Sequence, residues 1–210
     1  MRAILTIILV FYLKHTFAAE TQSTPPPGYI TVCQDNSLIE NEIYSYIRHV
    51  HKLTGEKKYD KETRDTYLLY KIKQPDSETR NIYINVKPGL IEKGRITAST
   101  IEIYTYQELP AQLMSNTAFN ALLAYNSTFM LETWFSPTIY VHDKRVIVFK
   151  NIIYIPSPDT WIPIKTIYDT MIRSVSCCQF YLKELKHKFK LTIDNGSIRK
   201  IEDISRDRKI

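Results

Sequence analysis

Three cysteines, Cys33, Cys177 and Cys178, are the side chains best suited to covalent chemistry. Thiols pair in an oxidising compartment, and an odd number leaves one for another chain or for reaction as a free thiol. Adjacent cysteines rarely bond to each other because the short connection strains the S–S geometry. Cys33 is therefore expected to pair with one of the neighbours, and helix phase divides them. Cys178 lies on an apolar seam between Val175 and Leu182. Cys177 falls about 100° round the helix, beside Arg173, Ser174 and Glu184. Cys33–Cys178 is the first expectation and Cys33–Cys177 the second; a reducing compartment leaves three free thiols. A bond closing so long a loop stabilises a fold by about 3–5 kcal/mol in chain-entropy terms. Cys177 is then left for an intermolecular disulfide with a partner protein.

The remaining reactive residue types form weaker constellations. His49-Val50-His51 would share a face on a strand and could bind zinc, but on a helix the two rings diverge. His142-Asp143 has no Gly-x-Ser-x-Gly nucleophile to serve. Glu102 with Glu108, and Asp60 with Asp65, read as solvated charges. No catalytic residue is assigned, and neither a metal nor a cofactor is expected. Five glycines in the whole chain leave little material for a phosphate-cradling loop. Trp134-Phe135 and Trp161 stand beside proline-containing loops, where aromatics close core ends or anchor a protein partner. Two Asn-x-Ser/Thr sequons, at Asn126 and Asn195, are glycosylation acceptors if the chain is secreted by a eukaryotic pathway.

That condition rests on the first eighteen residues. Arg2, the apolar run Ala3–Leu13 and the small-residue site Thr16-Phe17-Ala18 have the order of a secretory signal peptide. The run is shorter than the roughly 20 residues that span a bilayer. Cleavage is expected between Ala18 and Ala19, giving a secreted or extracellular chain, periplasmic if bacterial. An uncleaved segment would instead hold the domain at a membrane. Loss of Arg2 and Lys14 lowers the formal charge from +6 to about +4. That surplus suits solubility rather than nucleic-acid binding. Lys183, Lys186, Lys188 and Lys190 read as the solvated face of a helix end.

The elements that must position these residues follow from periodicity. An apolar content of 44% and fifteen tyrosines mark a folded chain. Residues 19–30, with Pro25-Pro26-Pro27, predict an extended arm, residues 31–204 one domain, and residues 205–210 a charged tail. Ser37 with Glu40 suggests a capping box opening a helix along Ile39, Ile43, Tyr46 and Val50, closed by Gly55. Residues 56–65 read as loop. Strands are expected over 67–73, 81–86 and 100–106, with Pro88-Gly89 as a turn. A second helix is expected over 110–125, and a hairpin over 139–149 that 152–155 extends. Ile164, Tyr168, Met171, Val175, Cys178, Leu182 and Leu185 form one continuous seam of a long third helix. Asp194-Asn195-Gly196 predicts a last hairpin.

Strands before, between and after three helices, without strict alternation, imply an α+β fold with a largely antiparallel sheet. The functional expectation is a secreted or surface-associated glycoprotein that binds another protein without catalysis. The frequent isoleucine is common to AT-rich viruses, parasites and bacteria, and a viral or parasite source would make the chain a host-interaction factor. The alternative is a secreted or periplasmic enzyme with a dispersed active site.

Overall fold

The computed structural model describes residues 24–61, 64–73, 79–109, 113, 115–132, 137–142 and 146–189. The leader, the Asn195 sequon with its hairpin, the charged tail and Trp134-Phe135 lie outside the described residues. Among the described residues the chain order is β1 (Tyr29–Ile30), α1 (Asn36–Val50), β2 (Gly55–Tyr59), β3 (Thr66–Lys73), β4 (Thr79–Glu92), β5 (Arg95–Glu108), α2 (Asn116–Glu132), β6 (Thr138–His142), β7 (Val146–Ile155), β8 (Ile162–Pro163) and α3 (Ile164–Phe189). Six strands form an antiparallel sheet in the order β2-β3-β4-β5-β7-β6, and β1 pairs with β8. This is the expected α+β architecture.

Alternation along the strands decides which face is covered. Leu68, Tyr70, Ile82, Ile84, Val86, Ile101 and Ile103 point to one face and are buried against Ile39, Ile43 and Ile47 of α1. Ile164, Ile167, Met171 and Val175 of α3 complete that cluster. Farther along, α3 enters a second cluster through Cys178, Tyr181, Leu182 and Leu185, packed with Phe149, Ile147, Ile139 and Leu122. One helix therefore spans both halves of the core. The seam read from the sequence is this face, with Tyr168 displaced to its margin, where its ring stacks on His51 at 3.5 Å.

Four local expectations change. Asp35, not Ser37, caps α1, accepting the Ser37 N–H at 2.9 Å. Glu40 is no capping partner. It is 1% exposed, with the Thr66 hydroxyl at 2.6 Å and Lys57 Nζ at 3.3 Å. Residues 55–59 form the edge strand β2 rather than a loop, because pairing with β3 supplies order that this polar sequence does not announce. Pro88-Gly89 is an irregularity inside a long hairpin, not its turn. The chain reverses at Lys93 and Gly94, at φ +48° and +77°, where glycine is favoured.

Gly55 sits opposite Tyr70, and a Cβ there would lie 2.6–2.9 Å from the ring. Tyr70 is fully buried, so the ring has no room to withdraw. Gly55→Ala should destabilise the protein by about 1–3 kcal/mol in urea unfolding. An unchanged midpoint would contradict this packing.

Candidate binding surface on the open sheet face

The second face of the sheet carries no helix among the described residues. Its middle is aromatic: Tyr83 stacks on Tyr104 and Tyr106, with ring centroids 5.3 and 5.4 Å apart, and Tyr67 tilts against Tyr83 at 6.0 Å. The Tyr83 and Tyr106 hydroxyls share a hydrogen bond of 3.1 Å. Burial and the neighbouring tyrosines push the Tyr106 phenol far above its ordinary pKa, so this group stays neutral and structural.

Beside the tyrosines lies a charged triad. Lys150 and Lys87 reach the Glu102 carboxylate at 2.5 and 3.1 Å from β7 and β4. Burial alone would raise the Glu102 pKa, but hydrogen bonds from both lysines outweigh it and hold the carboxyl below its ordinary value. Glu102 therefore favours the folded state at neutral pH, and that contribution fades as acid protonates it below the ordinary carboxylate range. The triad is fixed and carries a net positive charge.

Beyond it the face turns apolar and open. Ile152 and Tyr154 of β7 are 59% and 52% exposed, beside Glu102 and Thr100 of β5. Leu90 and Ile91 of the long hairpin are exposed as well. The Tyr154 ring lies against Gly89, where a Cβ would approach it to 3.1 Å and the Thr100 Oγ1 to 3.0 Å. Gly89 thus makes the space that holds an exposed aromatic in one place. Tyr83 and Tyr106 are themselves buried with Val146 and Val148. The exposed Tyr154, held in place and flanked by aliphatic side chains, has instead the character of a protein contact surface. Residues 152–155 are legible as a strand in the sequence but this patch is not, because exposure depends on where the helices dock.

The side chains singled out from the sequence sit elsewhere and apart. No two of the three cysteines lie at disulfide-bonding distance, so the structure contains neither the Cys33–Cys178 nor the Cys33–Cys177 bond. Cys33 packs against the first core cluster, whereas Cys178 is buried in the second and Cys177 packs against it. Cys177 is half-buried rather than outward-facing, and burial pushes its thiol up to about 11. Asn126 is 3% exposed, and its Oδ1 accepts the Tyr181 hydroxyl. A glycan on Asn126 Nδ2 has no room in this packing. His49 bonds the Ser45 carbonyl at 2.7 Å, while the His51 ring turns to Tyr168. His142 ends β6, opposite Val146. Trp161 is exposed beside β8. No cluster of three metal-ligating side chains occurs among the described residues.

Compared with known proteins, the sequence matches no family model and no curated protein at a significant level.

The thiol arrangement sets an order of reactivity. Alkylation of the native protein at pH 8 should modify Cys33 first. Cys177, with about one thiol in a thousand ionised at that pH, and buried Cys178 should react only after denaturation, with no reductant needed. Mass spectrometry of the alkylated peptides reads the order; a thiol released only by reductant would contradict it.

Proposed function

We propose that this chain is a secreted, non-catalytic protein-binding module, and that its contact surface is the open sheet face around Ile152 and Tyr154. The observation that carries this reading is the exposed apolar patch itself, with an aromatic ring seated against Gly89 and a lysine–glutamate–lysine triad at its border. Water gains by release from such a surface, and a rigid tyrosine loses little conformational freedom on contact. The triad adds long-range attraction for an acidic partner. The expected secretion rests on the N-terminal residues alone, and a glycan at Asn195 remains compatible with it. Cys177 is not needed for partner contact, since its half-buried thiol favours a structural role.

The test is quantitative affinity capture from the native source with the wild-type chain and with the double variant Ile152→Asp, Tyr154→Asp. Both side chains are exposed, so unfolding stability should change by less than about 0.5 kcal/mol per site. Proteins retained by the wild type should be lost at least tenfold with the variant. Equal retention by both chains would reject this surface.

A further inference from the structure

The two outer strands of the six-stranded sheet are built differently. On one side β2, Gly55–Tyr59, carries Glu56, Lys57 and Lys58, and charged side chains on a short edge oppose pairing with another chain. On the other side β6 covers β7 only from Val146 to Lys150, where Thr138 is its first paired residue. Pro137 precedes it and has no N–H with which to continue the ladder. From Asn151 to Ile155 the strand is bonded to β5 on its inner side. Its outer side has no paired strand among the described residues. This stretch, Asn-Ile-Ile-Tyr-Ile, contains neither charge nor proline. Charge and proline are two of the devices by which proteins blunt an edge.

We infer that the outer edge of Asn151–Ile155 is a strand-addition site, which takes an extended segment of a partner protein in line with β6. The inference rests on the protein-binding reading above and gives it a mode. Unpaired N–H and C=O groups spaced along an edge are matched by an extended backbone. Side chains of the added strand would alternate, with apolar residues at i and i+2 lying beside Ile152 and Tyr154. The unpaired edge is about 17 Å long at five residues. That length suits a short, conforming segment. A second rigid copy needs about 800 Å² per protomer, and each copy also carries a positive charge that opposes self-association.

The probe is a random twelve-residue peptide display library selected on the full-length chain, followed by synthesis of the best binder and of a series with each backbone nitrogen methylated in turn. Strand addition predicts an alternating pattern: methylation at every second position weakens binding at least tenfold, and the positions between tolerate it. Ile152→Lys should abolish binding, and the chain should stay monomeric at the concentrations used. A binder sensitive to Ile152→Lys but without alternation would overturn strand addition and leave the docking face standing. Selection of no binder would overturn both. Concentration-dependent dimers that compete with the peptide would assign the edge to a second copy and overturn the partner inference.

Discussion

The structure depends on the pairing of β4 with β5, fourteen residues each, because that hairpin fixes which way every neighbouring side chain points. With the register set by Ile84 opposite Ile103 and Val86 opposite Ile101, the isoleucines of both strands share one face. A slip of one residue would turn them to the other side and present Tyr83, Asn85, Glu102 and Tyr104 to the helices. Burial of this aliphatic face against α1 and α3 supplies the main driving force for folding. The tyrosines, the charged triad and the exposed end of β7 occupy the face that the same register leaves over.

The helices consume one face and impose a long axis. α3 runs from the first core cluster into the second, and its fourteen-residue advance from Ile164 to Cys178 is about 21 Å. Gly28 accepts the Ile164 N–H at 2.9 Å, which ties the incoming arm to the start of that helix. Cys33 therefore belongs to the end where α3 begins, and the adjacent cysteines to the half it reaches later. Packing does there what a disulfide was expected to do. Asn126 is drawn into the second half by Tyr181, which buries the side chain expected to accept a glycan.

Where periodicity is strong, the sequence is legible. The Ile164–Leu185 seam, the long apolar strands and the α+β class follow from spacing alone, because burial of one face enforces spacing. Three features needed partners that spacing does not reveal. Glu40 has the pattern of a capping residue, yet Lys57 and Thr66 arrive from β2 and β3 to hold it inside. β2 reads as a polar loop because an edge strand with one neighbour needs little apolar content. Pro88-Gly89 has turn chemistry, but a bulge uses the same residues, and Gly89 is needed there for the close approach of Tyr154. The proposed binding face was least legible, since its residues are ordinary and the exposure of Ile152 and Tyr154 depends on where the helices dock.

The central claim is that β7 is paired on both sides to Lys150 and, among the described residues, open on its outer side thereafter. Amide hydrogen exchange of the free protein, resolved by NMR, tests it most directly. From Val146 to Lys150 successive amides should all exchange slowly. From Asn151 to Ile155 they should alternate, those bonded to β5 remaining slow and those facing outward exchanging orders of magnitude faster. Uniform protection from Val146 to Ile155 would contradict an open edge.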